Sequence, residues 1–508
     1  MTALFWTLGA GLVLELLVAS TSLGWRARKV VALCSVLATA FASGALVSLR
    51  PTVFTALLLF LGLYRVLNMV RVGEGRMHEA YLKRAVRRST VVLAALQLAV
   101  FGLWFGWPRL HITGSAVWAV YALLQVVVAL GLLYSLRRTL RHTSWPHTIA
   151  PMADTELPTV TVAIPARNET ADLEACLQSL IASDYPKLEV IVLDDCSQTK
   201  RTSEIIRGFA HDGVRFVQGE EPSDTWLPKN QAYFRLANEA SGEYILFCGV
   251  DVRFGAGTLR QLMAHMAAKK KTMVSILPRR PEGAGPALTQ ALRYWWELVP
   301  PRRLFQRPPV LSTCWAISRK TLEDSGGFRA VARSITPEAY FARQAAKHDA
   351  YSFLRANDAC GLTSAKPPQE QRETAVRTRY PQLHRRPENV AAVALFELGF
   401  LVCPFGLVLG GLFWQVGLAA WALATLASVL LAVTYATLVL ATRTGRALTG
   451  LVSLPLGMVY DAGLLHYSMW MYEFSTVEWK GRNICIPAMH VIPHLPELPP
   501  TTGQHTLA

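Results

Sequence analysis

Acidic and polar residues follow three apolar runs near the middle of this 508-residue chain. Pro165, Arg167 and Glu169 follow the first run, Asp194 and Asp195 follow the second, and Asp251 follows the third. Apolar runs of this kind are typical of buried strands, and open α/β sheets bind their ligands at the carboxyl ends of such strands. Carboxylates at that edge can accept hydrogen bonds or hold a divalent cation. The pattern therefore predicts one ligand-binding crevice.

Alternating strand and helix patterns would position these residues. The apolar runs at 159–164, 188–193 and 244–248 and a short one at 214–217 predict strands, and the segments between them predict helices. This β-α-β-α-β-α-β order indicates a mostly parallel sheet with crossover helices. We therefore expect an α/β domain over residues 156–386.

Apolar segments long enough to cross a bilayer flank this domain. Hydrophobic residues make up 52% of the chain and its mean hydropathy is +0.28, which is too apolar for a soluble enzyme of this size. The predicted spans lie at 3–23, 30–49, 51–67, 90–107 and 113–135 before the domain, with two more within 390–441 after it. A last segment, 448–473, contains Pro455, Asp461 and His466 and is expected to form a third span or a re-entrant or interfacial helix.

Charge sets the expected orientation. The predicted regions are an N-terminal membrane region (1–145), the α/β domain (156–386), a C-terminal membrane region (389–473) and a tail (474–508). Basic residues follow the first, third and fifth spans, and a basic cytoplasmic loop is predicted at 65–90. The positive-inside rule then places the N-terminus outside and the α/β domain in the cytoplasm of a multi-pass protein, as in a bacterial-type plasma membrane.

The same loops account for the formal net charge of +16, so membrane lipids are expected partners and nucleic acid is not. The eight cysteines form no Cys-x-x-Cys pair, and the sequence indicates neither a zinc site nor a disulfide framework.

Four short motifs carry a family resemblance. They are Pro165-Ala-Arg-Asn-Glu169, Leu193-Asp-Asp-Cys-Ser197, Trp226-Leu-Pro-Lys229 and Gly249-Val-Asp251. In order and spacing they resemble the signature of family 2 glycosyltransferases, and the flanking apolar segments resemble the family's membrane-bound branch. The resemblance implies a Rossmann-like α/β domain of the GT-A fold, cytosolic and inserted between two bundles of transmembrane helices. It also implies a nucleotide-sugar donor, with UDP as the expected nucleotide.

The resemblance further implies roles for the motif residues. Contacts to the donor nucleoside are expected from Pro165, Arg167, Glu169, Asp194 and Asp195, and a contact to its diphosphate from Lys229. Asp194 would alternatively orient its loop, and each strand-end residue could instead satisfy backbone groups at a turn. Lys229 precedes a predicted helix, whose N-terminus would help it to meet a phosphate.

The family's metal motif is incomplete here. Its usual form is Asp-x-Asp, whereas Gly249 occupies the first position and only Asp251 remains. Because Mg²⁺ can be held by one or two carboxylates together with substrate phosphates, Asp251 is still expected to bind a divalent cation, Mg²⁺ or Mn²⁺.

Two later motifs would carry the chemistry. Glu338 stands where the family has an acidic motif, and it is expected to remove the acceptor proton in an inverting single displacement, unless it only favours a helix N-terminus. Arg379, with Arg377 second, would stabilise the leaving diphosphate. Tyr380 stands where processive membrane synthases carry an acceptor-side Trp. A basic helix lying on lipid headgroups is the alternative for this segment.

Two more segments match family features. Gly326 and Gly327 match an acceptor-side Gly-Gly-Phe, although they would also suit a tight turn. Trp479-Lys-Gly-Arg482 is similar to the ending of ceramide- and hopanoid-type glycosyltransferases and implies donor contacts from Trp479 and Arg482. Those contacts require 448–473 to return to the cytoplasmic side.

The expected function is that of an inverting membrane glycosyltransferase acting on a lipid or lipid-linked acceptor at the cytoplasmic face. Two alternatives stay open. A processive polysaccharide synthase coupled to export is disfavoured by the missing Gln and Trp around Arg379. A catalytically inactive donor-binding scaffold is favoured only by Gly249.

Overall fold

The computed structural model describes residues 2–20, 25–49, 52–73, 80–106, 114–145, 152–223, 225–284, 286–301, 307–413, 416–474 and 476–485. Five helices precede the α/β domain: α1 (Thr2–Ser20), α2 (Trp25–Leu49), α3 (Val53–Gly73), α4 (Ala80–Gly106) and α5 (Gly114–His142). The first four pack together as a bundle, α1 against α2 and α4, and α3 against its two neighbours in sequence.

An ion pair lies inside this bundle, at a position where a loop was predicted. Arg65 is fully buried, 3.0 Å from the carboxylate of Glu15, and it also donates to Gln97 Oε1 at 2.5 Å. The predicted basic loop 65–90 is therefore wrong at both ends, because α3 continues to Gly73 and α4 begins at Ala80. Residues 74–79 lie outside the described part of the chain. Glu15 neutralises the arginine, so the apolar helix can continue past a charge.

A seven-stranded sheet forms the centre of the α/β domain. Its strands are β1 (Val160–Ala166), β2 (Leu188–Asp194), β3 (Val214–Gln218), β4 (Tyr244–Cys248), β6 (Met273–Leu277), β7 (Cys314–Ser318) and β8 (Tyr351–Arg355), and the short β5 (Val252–Arg253) pairs separately with β9 (Thr363–Ser364). The order is β3-β2-β1-β4-β7-β6-β8, and β7 runs antiparallel to both of its neighbours.

Helices cover both faces of the sheet. They are α6 (Ala171–Ile181), α7 (Arg201–Gly208), α8 (Pro228–Glu239), α9 (Thr258–Ala268), α11 (Arg319–Asp324) and α12 (Pro337–Lys347). Two further helices of the domain, α10 (Leu288–Leu298) and α13 (Pro368–Gln382), pack against each other and against the C-terminal helices. On one face Leu177 of α6 packs in a cluster with Val162, and on the other Phe341 of α12 packs in a cluster with Ile191. Coverage on both faces explains why the strands are continuous apolar runs. The predicted α/β class is confirmed.

The C-terminal region contains long helices and a hairpin. α14 (Pro387–Phe396), a π-helical turn (Glu397–Val402) and α15 (Cys403–Gly410) follow one another without a break, then come α16 (Leu418–Thr442), α17 (Ala447–Glu473) and the paired strands β10 (Glu478–Trp479) and β11 (Arg482–Asn483). Arg355 of β8 donates to the carbonyls of Ala441 and Leu140 at 3.0 and 3.2 Å. α5 and α16 therefore both end at the α/β domain.

α17 stays close to the α/β domain at both ends. Just before it, Arg443 lies 3.4 Å from Asp358, which follows β8. Near its end, the Tyr472 hydroxyl donates to the carbonyl of Arg377 in α13 at 2.6 Å. The helix has 27 residues, a length of about 40 Å. It therefore runs along the domain and does not lead away from it.

Among the described residues, five helices are long and apolar enough to cross a membrane: Arg26–Leu49, Ser115–His142, Pro387–Gly410, Leu418–Thr442 and Ala447–Glu473. Shorter apolar helices at Ala3–Val18 and Phe54–Val70 coincide with the first and third predicted spans. The predicted arrangement, an α/β domain between two sets of apolar helices, is confirmed.

Candidate functional site

A crevice of about 400 Å³ opens where β1 and β4 end. Pro165 and Glu169 line it from the loop after β1, and Asp251 lines it from the loop after β4. The two loops meet because β1 and β4 are adjacent parallel strands. Arg379 of α13 and Asp461 of α17 line the opposite wall. The crevice therefore lies between the sheet and the helices that flank it.

The β10–β11 hairpin covers one end of the crevice. Lys480 Nζ pairs with the carboxylate of Glu169 and donates to the carbonyl of Arg167 at 2.9 Å. Arg482 Nη1 lies 2.9 Å from Asp195 Oδ2. Burial raises the pKa of both acids, and the facing Lys480 and Arg482 oppose that rise. The hairpin is thus attached to two of the predicted nucleoside-binding residues, with the Asp195–Arg482 pair lying beyond the crevice lining.

Arg167 and Asp194 hold the loop after β2. Arg167 donates to the carbonyls of Asp195 and Lys480 at 2.6 and 3.2 Å. Asp194 Oδ1 accepts hydrogen bonds from the amide and hydroxyl of Ser197 at 3.1 and 2.5 Å. Neither residue lines the crevice. In this structure their polar atoms position Asp195, the loop after β2 and the hairpin, which is the alternative role predicted for Asp194, and their direct donor contacts stay predictions.

Basic side chains line the middle of the crevice, namely Lys229, Arg293, Lys366, Arg377 and Arg379. Burial lowers the pKa of Lys229 to about 8 and also lowers the pKa of Arg377. The Arg377 guanidinium lies over the Trp479 ring, 5.8 Å from its centroid. Several cations in one partly buried place suit an anion with many oxygen atoms, such as a diphosphate.

Asp251 lies at the predicted metal position. Ser364 donates to its Oδ2 at 2.5 Å, and a Cβ atom added to Gly249 would lie 2.5 Å from its Oδ1. The carboxylate therefore fills the space that a side chain at 249 would need. Among the described residues no group of three or more His, Cys, Asp or Glu could hold a metal ion. One carboxylate fits Mg²⁺ or Mn²⁺ where phosphate oxygens and water supply the other ligands.

Glu338 lies in the first turn of α12 and is 1% exposed. No described residue donates a hydrogen bond to its Oε2. Its charge raises the pKa of Lys229 against the larger effect of burial, and it raises the pKa of Tyr233 as well; both of these residues line the crevice. Glu338 itself is not part of that lining.

Arg379 meets two carboxyl groups from the C-terminal helices. Its Nη2 pairs with Asp461 Oδ2 and lies 3.7 Å from Glu397 Oε1. The guanidinium also lies over the Trp296 ring, 5.5 Å from its centroid. These contacts fix the arginine at the crevice wall.

Three predicted acceptor residues lie elsewhere. Tyr380 is fully buried and its hydroxyl donates to Glu473 Oε1 at 2.7 Å. Successive residues of α13 point in different directions, and Tyr380 points away from the crevice that Arg377 and Arg379 line. Gly326 and Gly327 have φ values of +82° and +58° in the turn after α11. That left-handed backbone explains the glycines. None of the three lines the crevice, so the structure does not bring these residues together with the other predicted site residues.

Many crevice residues were missed by the sequence prediction, among them the charged residues Lys480, Asp461, Arg293 and Lys366. Lys480 lies within the motif that ends at Arg482, so its signal was available. Asp461 was visible as a charge within an apolar segment, which is itself a signal of function. Arg293 and Lys366 have no local sequence signal that distinguishes them from other surface cations.

The α/β domain has an open sheet, a crevice at the carboxyl edge of that sheet and apolar helices beside it. The crevice is lined by six basic and six acidic side chains, as expected of a site for a polar ligand. Residues 161–326 match the family described as Glycosyl transferase family 2. The chain therefore contains a glycosyl transferase family 2 domain, which accounts for the four motifs.

Individual proteins are also similar to this chain. Residues of the chain are 32% identical over 99 positions to Glycosyltransferase AglE of Haloferax volcanii, covering 19% of this chain and 31% of that relative. The chain thus spans about a third of the length of that curated protein. It is similar to the mannosyltransferase PcManGT of Pyrobaculum calidifontis in complex with GDP-Man and Mn²⁺ (20% identity, TM-score 0.44, 70% of this chain and 98% of that one). It is also similar to residues 1–349 of S. aureus TarS in complex with UDP-GlcNAc (17% identity, TM-score 0.30, 62% and 91%).

Proposed function

We propose that the chain is an inverting membrane glycosyltransferase that transfers a sugar from a nucleotide sugar, with UDP as the expected nucleotide, to a lipid or lipid-linked acceptor. The observation that carries the proposal is the composition of the crevice. Family motifs build one wall, and helices continuous with the apolar regions build the other. A site of this kind can receive a polar donor from water and an apolar acceptor from a membrane.

The donor is proposed to lie with its nucleoside toward the hairpin and its diphosphate toward the cations. Glu169 offers a carboxylate to ribose hydroxyls, and Trp479 offers an aromatic face. Lys229 and Arg377 neutralise the diphosphate. Asp195 and Arg482, paired beneath the hairpin, fix the hairpin over the nucleoside end.

Asp251 is proposed to hold a divalent cation, Mg²⁺ or Mn²⁺, with the donor diphosphate completing the coordination. When bound, such a cation neutralises charge on the leaving diphosphate. Because Asp251 is a lone carboxylate, the site is expected to bind the cation weakly without donor.

Glu338 is the proposed catalytic base. In the single displacement the acceptor oxygen bonds to the anomeric carbon, the bond from that carbon to the diphosphate oxygen breaks, and Glu338 takes the hydroxyl proton. Its position beside Lys229 and its unpaired Oε2 support this role. Lys229 and Arg379 stabilise the negative charge that develops on the diphosphate.

The domain is proposed to face the cytoplasm. α5 and α16 both end at it, and Arg137, Arg138 and Arg141 lie in the last turns of α5. Basic residues at this end follow the positive-inside rule. Because both ends of α17 contact the domain, this helix is proposed to lie in the membrane interface.

Full-length protein in nanodiscs tests the proposal. A panel of nucleotide sugars, with and without Mg²⁺ or Mn²⁺, should include a donor that raises the melting temperature. Wild type should then release nucleoside diphosphate and label a membrane lipid extract, whereas Glu338→Gln should bind donor normally and lose transfer. Absence of stabilisation by every donor, or unchanged transfer in Glu338→Gln, would contradict it. A ladder of polymer would instead identify a processive synthase.

A further inference from the structure

The carboxylate of Asp251 is held at the crevice by a serine from a different part of the chain. Ser364 Oγ donates to Asp251 Oδ2 at 2.5 Å, and Ser364 is only 6% exposed. The other oxygen, Oδ1, accepts no hydrogen bond from any residue that the structure describes. It lies beside Gly249, which lines the crevice together with Asp251. One carboxylate oxygen is therefore bound to the protein, and the other is left for a ligand.

The position of the Ser364 hydroxyl is fixed by the pairing of β5 with β9. Ser364 lies opposite Val252 in this pair, and its amide donates to the carbonyl of Arg279 at 2.8 Å. Val252 is fully buried. Because Asp251 directly precedes Val252, the strand pair brings the hydroxyl to the carboxylate. If the carboxylate turned away, the hydroxyl could not follow it, and the hydrogen bond would break.

The same carboxylate explains why position 249 has no side chain. A Cβ atom on Gly249 would lie 2.5 Å from Asp251 Oδ1, whereas non-bonded heavy atoms pack best at about 3.5–4.0 Å. The backbone of Gly249 is outside the left-handed region that favours glycine, so its conformation alone would accept another residue. A side chain at position 249 would therefore turn the carboxylate and break its hydrogen bond to Ser364.

The orientation of Asp251 matters because it is the one carboxylate left in the metal motif. Groups that hydrogen-bond to a metal ligand fix its direction, and replacing such a group typically weakens metal binding by about 10–100-fold. A site with one carboxylate depends on that carboxylate and on the diphosphate oxygens of the donor. Any loss of orientation at Asp251 should therefore appear directly as weaker cation binding.

We propose that Ser364 and Gly249 are positioning residues for the divalent cation, because Ser364 retains Oδ2 and the open space at Gly249 keeps Oδ1 available at the crevice. The inference rests on the proposed function and deepens its metal assignment. Gly249 is then a working part of the site and does more than mark a lost ligand. Restoring an acid with Gly249→Asp should weaken cation binding, since the new Cβ atom displaces Asp251 Oδ1.

Mn²⁺ binding to the full-length protein in nanodiscs tests this assignment without an activity assay. The protein is saturated with UDP, the expected nucleotide, and Mn²⁺ is titrated while the melting temperature is followed. The fall of the free Mn²⁺ signal in electron paramagnetic resonance, relative to empty nanodiscs with the same UDP, measures binding directly. Ser364→Ala and Gly249→Ala should each weaken Mn²⁺ binding about tenfold. Stabilisation by UDP without metal should be unchanged, which also shows that each variant is folded.

Two further variants separate positioning from general damage to the strand pair. Thr363→Ala is the matched control, because neighbouring residues of a strand point to opposite faces and the Thr363 side chain has no hydrogen bond to a described residue. Its Mn²⁺ affinity should equal that of wild type. The double variant Ser364→Ala/Gly249→Ala should lose about tenfold and not a hundredfold, because both changes release the same carboxylate. Gly249→Ala carries the test if Ser364→Ala does not fold.

Equal Mn²⁺ affinity in wild type and Ser364→Ala overturns the assignment, and so does tighter Mn²⁺ binding in Gly249→Asp. A wild type that UDP stabilises and Mn²⁺ does not affect also overturns it, although a transferase that needs no metal would survive that result. Failure of the proposed function looks different, because then no nucleotide sugar stabilises wild type either with or without metal.

Discussion

Replacing Arg482 with Met should release the β10–β11 hairpin from the α/β domain. Arg482 holds the hairpin through two ion pairs, which contribute unequally to the free energy of docking. Its pair with Glu221 is 2.8 Å long, but Glu221 is 72% exposed, and an exposed pair contributes about 0–1 kcal/mol. Its pair with Asp195 joins side chains that are 11% and 4% exposed, and removing one partner of a buried pair costs about 3–5 kcal/mol.

The loss is limited because the hairpin can detach and let water reach Asp195. We therefore expect the docking equilibrium to shift by about 3 kcal/mol, roughly a hundredfold. Hydrogen exchange reports this opening, because an isolated two-stranded hairpin is marginally stable in water. The 3.0 Å bond from the Ile484 amide to the Val477 carbonyl, which joins the ends of the two strands, should therefore open once the hairpin leaves the domain. Exchange in the peptide containing Ile484 should accelerate by up to that factor in Arg482→Met.

Glu221→Gln is the control, because it removes the exposed pair and leaves the buried one. In this variant the exchange rate of the peptide containing Ile484 should stay within about threefold of wild type.

The pH dependence of this exchange rate gives a second check. Burial already raises the pKa of Asp195, and without Arg482 it should rise further in the docked hairpin. An acid with a raised pKa disfavours docking once it ionises. The difference in exchange rate between Arg482→Met and wild type should therefore shrink as pH falls. Equal exchange in Arg482→Met and Glu221→Gln would refute the reasoning.

Three further predictions concern the crevice and the topology. Burial lowers the pKa of Lys229 to about 8, so donor affinity should fall as pH rises through 8, where the amine loses its charge. Lys229→Met should bind about tenfold more weakly with no such step, and calorimetric titration from pH 6.5 to 9 checks both statements. Asp251→Asn should abolish the part of donor stabilisation that depends on Mg²⁺ or Mn²⁺, and an unchanged metal response in thermal melts would contradict the assignment. A cysteine at Asn483 should react with an impermeant maleimide from the same side as the α/β domain, and labelling only from the other side would exclude the interfacial position of α17.

The strands near the site were predictable because the sheet is covered on both faces. β1, β2 and β4 are continuous apolar runs with polar ends, a pattern that needs no tertiary information. β7 was not predicted, because its antiparallel insertion between β4 and β6 depends on pairing between distant segments. Arg65 was misplaced for a similar reason, since its partner Glu15 lies 50 residues away and a lone arginine suggests a loop.

The position of a predicted residue relative to the crevice could be foreseen where a motif follows a strand, and could not be foreseen where helix packing sets the direction of the side chain. Glu169, Lys229 and Asp251 line the crevice because strand ends and a helix start fix their direction. Tyr380 does not line it, because the rotation of α13 is set by its contact with α17, which the sequence around Tyr380 does not contain.

α17 connects the two ends of the proposed site. It carries Asp461 at the membrane-side wall, and it leads directly into the hairpin whose Lys480 pairs with Glu169 at the donor end. A continuous helix transmits displacement along its axis, so contacts at Asp461 and contacts at the hairpin bias the same element. If donor and acceptor bind at these two ends as proposed, we expect their binding to be coupled, with each ligand changing the affinity of the other by the same factor. This accounts for the placement of a charged residue within an apolar segment that returns to the domain.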